Sequence, residues 1–327
     1  MNSDLFLATE NGLIVCSREG ETWREAARGL EDHHITSVIA RDGVILAGAR
    51  DGVFRSDELG NTWEPASSGL EIRLVRWLGV HPQVSDLEFA GTEPAGIFVS
   101  HDGGGSWRSC PEVARLRDAH EWYLPYSPEA GAVRGFAFNG PRGYAAVEVG
   151  GVLVTDDRGE NWRLAEGSNG EPDHHPRLGE IHPDVHSIEV HPTSPERVAA
   201  PTGGGFFYSE DGGRTWERRY PHCYCRAVWL DPEDAEHMVM GPADGVDRNG
   251  RIEETNDGGR SWKPANQGLQ TPWPRHMVER FHQHGDELLA VLSNGELYAA
   301  PLESLRWQRV LPEVNGIRAV TAMEEVV

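Results

Sequence analysis

The chain has 327 residues and a formal net charge of −22, from 30 basic and 52 acidic side chains. So negative a surface repels phosphate backbones and anionic lipid headgroups, which argues against nucleic acid and membranes as partners. No apolar run approaches the roughly 20 residues that cross a bilayer, the first ten residues lack a secretory pattern, and Cys16, Cys110, Cys223 and Cys225 are too few and too scattered for a disulfide framework. A reduced, cytoplasmic protein is the expectation.

Glycine (38), proline (21) and an excess of Trp (11) over Phe (9) and Tyr (7) fit many short strands joined by tight turns. In chain order, residues 4–25 read as a hairpin ending at Trp23. Residues 33–66 open on the strand Ile35-Thr-Ser-Val-Ile-Ala and close on Ser56-Asp-Glu-Leu-Gly-Asn-Thr-Trp63. Residues 73–110 run from Val75-Arg-Trp-Leu-Gly-Val to Ser100-His-Asp-Gly-Gly-Gly-Ser-Trp107. Residues 132–165 run from Val133-Arg-Gly-Phe-Ala-Phe to Thr155-Asp-Asp-Arg-Gly-Glu-Asn-Trp162. Residues 184–219 run from Val185-His-Ser-Ile-Glu-Val to Ser209-Glu-Asp-Gly-Gly-Arg-Thr-Trp216. Residues 224–265 run from Cys225-Arg-Ala-Val-Trp-Leu to Thr255-Asn-Asp-Gly-Gly-Arg-Ser-Trp262. Residues 275–310 start at Met277-Val-Glu-Arg-Phe-His and end near Trp307, and a last strand, Ile317-Arg-Ala-Val-Thr-Ala, has no hairpin after it.

The seven tryptophans that close these units lie 40 to 55 residues apart, and counting from Trp307 through the C-terminus to Trp23 gives an ordinary interval of 43. A repeat of that length signals radial architecture. Residues 317–323 are expected to complete the unit begun by 4–25, leaving no open sheet edge. The recurring Ser/Thr-x-Asp-x-Gly-x-Thr/Ser-Trp segment has a local reason: its Asp accepts turn amides and its Gly residues take the positive φ that such turns need. Around Trp23 and Trp307 the segment has decayed, with Arg18 and Leu302 at the Asp position.

This repeat resembles the Asp-box (BNR) repeat of the sialidase-like superfamily, and the pattern as a whole is similar to the seven-bladed photosystem II assembly propellers and to bacterial BNR-repeat proteins. The resemblance covers almost the whole chain. It implies an all-β fold: one seven-bladed β-propeller over residues 1–327, with the seven units as blades. Sialidases themselves have six blades and an Arg-Ile-Pro segment near the first Arg; this chain has neither.

The second residues of the inner strands are Thr36, Arg76, Arg134, His186, Arg226, Val278 and Arg318. Alternation sends that position to the central channel, so four arginines and a histidine are expected to ring its mouth. Like charges held close must be neutralised, and two answers stand open. One is internal, from acids at the ends of the second strands: Glu10, Glu93, Glu148 and Asp244. The other is external, an anionic ligand gripped by guanidinium forks.

The loops entering the inner strands should open on the same face. The two longest are Leu116–Gly131, with His120-Glu-Trp-Tyr-Leu-Pro-Tyr126, and Gly167–Asp184, with Asp173-His-His-Pro and Glu180-Ile-His182-Pro-Asp184. Long loops rich in aromatics and His point to function. His33, His34, His222 and His276 add to a histidine-rich rim. Ligand-binding candidates are therefore Arg76, Arg134, His186, Arg226, Arg318, His120, Trp122 and His276; Glu93, Glu148 and Tyr123 are the catalytic candidates. No tight metal spacing is present, so a divalent metal stays an open cofactor option, with His182, His186 and His222 as ligands and His222-Cys-Tyr-Cys225 as a suggestive clip. The segment Asp244-Gly-Val-Asp-Arg-Asn-Gly250 offers oxygens for Ca²⁺, but turn chemistry explains it, and Arg248 is placed to reach over the funnel. Three functions follow. The first is a binder, and potentially an enzyme, for an anionic or carbohydrate-like small molecule. The second is a scaffold for a peptide or protein tail on the same face. The third is a metal-dependent enzyme or lyase using the rim histidines. Fold alone does not choose among them.

Overall fold

The computed structural model describes residues 4–20, 22–127 and 130–323. Seven four-stranded antiparallel sheets are arranged as blades, each with strand order inner to outer. Blade 1 joins the C-terminal strand Ile317–Ala322 to Leu5–Thr9, Gly12–Glu19 and Thr22–Gly29. The seam pairs Leu5 with Ala322 and Leu7 with Val320, so the two ends of the chain close the ring as the sequence predicts. The inner strands of blades 2, 3 and 4 are Ile35–Arg41, Val75–Val80 and Ala132–Asn139. In blade 5 only Glu189–Val190 is regular strand, preceded by a bridge from Val185 to Thr202. Blades 6 and 7 begin with Tyr224–Leu230 and Val278–His284.

Each interface between blades carries its own apolar cluster. Leu5, Leu7 and Trp23 of blade 1 meet Leu289 and Val291 of blade 7, and Phe89 and Ile97 of blade 3 meet Val133 and Trp162 of blade 4. The core is thus a belt of radial seams, and every tryptophan of the repeat sits on one.

The Asp boxes are built as turns. In blade 3 the Asp102 carboxylate accepts the Ser106 N–H at 2.8 Å and the Ser106 hydroxyl at 2.6 Å, while Ser100 Oγ accepts the Gly104 N–H at 2.9 Å. Gly104 has φ +79, and a Cβ there would lie 2.3 Å from Leu46 of the preceding blade. No side chain fits.

One element is additional to the strand pattern: a helix over Pro111–Ala119, where a long loop was expected to begin. Pro111 at its start and Arg117 in its last turn suit helix ends. Val113 and Leu116 pack into the seam between blades 3 and 4, and Glu112 accepts the Trp162 N–H at 2.9 Å. This is the longest helix of the described residues, and none is long and apolar enough to cross a membrane.

Candidate functional site

A one-residue bulge recurs in the inner strands. Pairing skips between Ile35 and Ser37, Val75 and Trp77, Val133 and Gly135, and Val278 and Arg280. In blade 1 the skip leaves out Arg318, and in blade 6 it spans Arg226 and Ala227. A bulged residue is unpaired and re-aimed, which turns Thr36, Arg76, Arg134, Arg226 and Arg318 toward the axis. His186 holds the equivalent place after Val185. In blade 7 the expectation is corrected: Val278 is fully buried and Glu279 is the bulged residue. Counting from Met277 displaced the register by one; aligning Val278 with Ile35, Val75, Val133, Val185 and Ile317 recovers it. The ring therefore contains its own carboxylate.

Thr36, Arg76, Arg134, Arg226, Glu279 and Arg318 meet in a central funnel of about 430 Å³, whereas His186, expected at its mouth, is wholly buried behind the lining. Much of the charge is neutralised internally. Arg76 Nε lies 3.2 Å from Glu93, Arg134 Nη1 lies 2.7 Å from Glu148, and Arg318 pairs with Glu10. Glu279 joins Arg226 and stands 3.9 Å from Arg134 across the channel. Burial works against the charge on Arg134, yet Glu148 and Glu279 outweigh it and raise its pKa. Burial would likewise raise Glu148, but Arg134 and then His186 hold it below the ordinary carboxylate value. Asp244 is not part of this neutralisation: it pairs with Arg251 at 3.1 Å on an exposed loop and takes the Asn249 amide. Arg248 folds back onto the Asp244 carbonyl rather than over the funnel.

The funnel floor is a cation on an aromatic ring. Arg280 lies 4.4 Å from the centroid of Trp77 and donates to the carbonyls of Arg134 at 2.8 Å and Arg226 at 3.2 Å. Burial and then Arg134 push its guanidinium down to about 9, still protonated at neutral pH.

On the side of blades 1 to 3 the pairing is incomplete. Arg50 occupies the second-strand end where blades 1, 3 and 4 carry Glu10, Glu93 and Glu148, and among the described residues it has no ion-pair partner. Arg76 meets Glu93 through Nε at 3.2 Å, and Arg318 Nε has no hydrogen-bond partner. Together they flank Thr36, with His34 beside them. Burial, then Arg50 and Arg318, holds His34 below its usual pKa.

The remaining candidates fall elsewhere. The two long loops clasp each other: Trp122 is buried and donates to the Gly170 carbonyl at 2.8 Å, His120 pairs with Glu171 at 2.9 Å, and the exposed Tyr123 donates to Asp173 at 2.6 Å. Tyr126, three residues on, is the one that lines the funnel. His276 stacks on Trp273 at 5.2 Å, outside the funnel lining. His222 is exposed at a left-handed turn, and His182 accepts the Asp184 N–H at 3.2 Å. Cys223 and Cys225 are buried; burial pushes the Cys223 thiol up to about 12 and holds Cys225 well above its ordinary value, so neither offers a thiolate. Among the described residues, the metal-ligating types that come together are Glu148, Asp184 and His186, whose ligand atoms lie within 4.8 Å of one another.

Fold and repeat together define a seven-bladed propeller carrying BNR/Asp-box repeats. The BNR/Asp-box repeat model matches residues 207–218. Solved structures resemble nearly the whole chain. An ancestral GH74 enzyme has 16% identity over 89% of this chain and 38% of its own, with a TM-score of 0.62. The GH74 xyloglucanase from Xanthomonas campestris has 16% identity over 86% of this chain and 45% of its own, with a TM-score of 0.63. YCF48 bound to a D1 peptide has 13% identity over 89% of this chain and 85% of its own, with a TM-score of 0.59. The chain thus spans less than half the length of the two GH74 structures, and identities this low carry fold alone. No curated protein matches the sequence.

Proposed function

We propose that the funnel binds a small anionic ligand, its carboxylate or comparable acid group seated on Thr36 between Arg50, Arg76 and Arg318. The observation that supports this is an Arg50 with no ion-pair partner among the described residues, beside an Arg318 whose Nε has no hydrogen-bond partner, in a chain whose net charge is −22. Arg134 and Arg226 are already paired with Glu148 and Glu279. A volume of about 430 Å³ suits a ligand of sugar-acid size. Binding is favoured over hydrolysis because Glu148 is held below the ordinary carboxylate value, where it serves poorly as a general acid. The four buried free thiols fit a reducing compartment such as the cytoplasm.

A second reading shares the same chemistry. The exposed Tyr126 and Val246 at the mouth give apolar footing to a tail whose terminal carboxylate enters the funnel, and a similarly folded neighbour is a peptide complex. The deciding experiment is calorimetric titration with hexuronic acids, dicarboxylates and short peptides, free or amidated at the C-terminus. Saturable binding of an acid that weakens at least tenfold in Arg50→Ala supports the proposal, with folding unchanged because Arg50 is exposed. Binding indifferent to Arg50 and Arg76 would overturn it.

A further inference from the structure

We infer that Glu148, Asp184 and His186 form a binding site for one divalent transition-metal ion of the Zn²⁺ or Mn²⁺ class. The site lies in the funnel wall between blades 4 and 5. His186 carries the argument. It is wholly buried, and its Nδ1 stands 2.7 Å from the Cys225 carbonyl oxygen. A carbonyl only accepts, so Nδ1 carries a proton toward it and Nε2 is the ring nitrogen turned to the carboxylates. A backbone carbonyl fixing the tautomer in this way is how ligating histidines are oriented.

Nε2 makes no well-aligned hydrogen bond, and neither does the buried Asp184 Oδ1 that faces it from 3.2 Å. A buried nitrogen and a buried carboxylate oxygen left unsatisfied side by side cost free energy, which a cation between them would remove. His237 shows the contrast: its two nitrogens are both satisfied, by Asp231 at 2.8 Å and Glu254 at 3.1 Å, and nothing is left for an ion.

Glu148 completes the set from the end of the second strand of blade 4. One of its oxygens accepts from Arg134 at 2.7 Å, and the Tyr126 hydroxyl also bonds it, contacts that orient a ligating carboxylate from behind. The three ligand atoms fall within 4.8 Å of one another. Ligands about 2.1 Å from a common metal are about 3 to 4 Å apart, so side-chain shifts of about 1 Å close the site. One imidazole with two carboxylates suits Zn²⁺ or Mn²⁺; Ca²⁺ and Mg²⁺ take oxygen alone. The inference stands on this geometry and not on the anion reading.

The test strips the full-length chain with a chelator and titrates it with ZnCl₂ by calorimetry and MnCl₂ by electron paramagnetic resonance. One equivalent is expected to bind. His186→Asn keeps an amide N–H for the Cys225 carbonyl while deleting Nε2, and it should weaken binding at least tenfold. Asp184→Asn should do the same and decides the matter if the buried histidine variant does not fold. Arg50→Ala should bind metal as the parent does. No saturable equivalent in the parent protein, undiminished affinity in Asp184→Asn, or equal binding of Ca²⁺ would overturn the site. Anion binding by the metal-free chain would survive that outcome, so the two readings fail separately.

Discussion

Glu279 is the residue on which the electrostatics of the ring turn, and Glu279→Gln measures it. The substitution preserves shape and leaves a neutral acceptor for Arg226, so what is lost is charge. The Arg134 guanidinium lies 3.9 Å from Glu279, a separation worth about 4 kcal/mol between unit charges at an effective dielectric constant of about 20. Arg134 retains Glu148 at 2.7 Å, whereas Arg226 retains only Asp247 at 3.9 Å. Breaking one side of a buried pair typically costs about 3 to 5 kcal/mol; with the neutral acceptor kept, a loss of about 2 to 3 kcal/mol is expected. Urea denaturation at fixed pH reads it. The same variant should respond more strongly to sulfate than the parent, with sodium chloride of equal ionic strength as control. A tenfold gain in sulfate affinity adds about 1.4 kcal/mol of stabilisation at saturating anion. Unchanged stability together with an unchanged sulfate response would refute the view that this carboxylate neutralises the ring.

Glu88→Gln tests a buried acid far from the funnel. Burial first, then Asp86, pushes Glu88 up to about 7 from 4.5. Its native form therefore holds a proton that the unfolded chain releases between those values, and parent stability falls as pH rises through that window. The variant should match the parent near pH 4.5 and exceed it by about 2 to 3 kcal/mol above pH 7; parallel pH–stability curves would sink the argument. Asp211→Ala removes an acceptor for the Thr215 N–H at 2.9 Å and the Thr215 hydroxyl at 2.7 Å. A loss of about 1 to 2 kcal/mol is expected by chemical denaturation, with ligand binding unaffected. Tyr123→Phe should leave anion affinity unchanged because its hydroxyl serves Asp173, while Trp122→Ala should cost about 3 kcal/mol by emptying the packed clasp of the two long loops.

The architecture was legible because the blades repeat the same local necessities: a Trp for the seam and a β-branched or apolar residue before the bulge in all seven, and an Asp and Gly for the turn in most of them. The ring was legible nearly as far. The exception, Val278 read for Glu279, arose because a bulge changes the counting that strand alternation relies on, and Met277 has the same apolar character as the residue that should have been aligned. Arg50 escaped notice because the second-strand ends were searched for acids, and a base standing at that position looks like noise until the pairs around it are seen. The rim was least legible. Whether Tyr123 or Tyr126 reaches the funnel depends on the path of the loop after the Pro111–Ala119 helix, whose Val113 and Leu116 are anchored in the seam between blades 3 and 4.

The two sides of the funnel differ because their second-strand ends differ by charge. Blade 4 supplies Glu148 beside Arg134, blade 7 supplies Glu279 opposite, and the result is a closed network that also props Arg280 on Trp77. Blade 2 supplies Thr36 and Arg50 where its neighbours place a base and an acid, so the carboxylates of blades 1 and 3 must each serve one arginine with a third left over. On the proposed reading, the arc where Arg50 has no ion-pair partner is where an anion binds, while Arg134 and Arg226 opposite are already paired. Exchange of Arg50 for Glu should therefore convert the open arc into a second closed one, abolishing anion binding while leaving the opposite network intact.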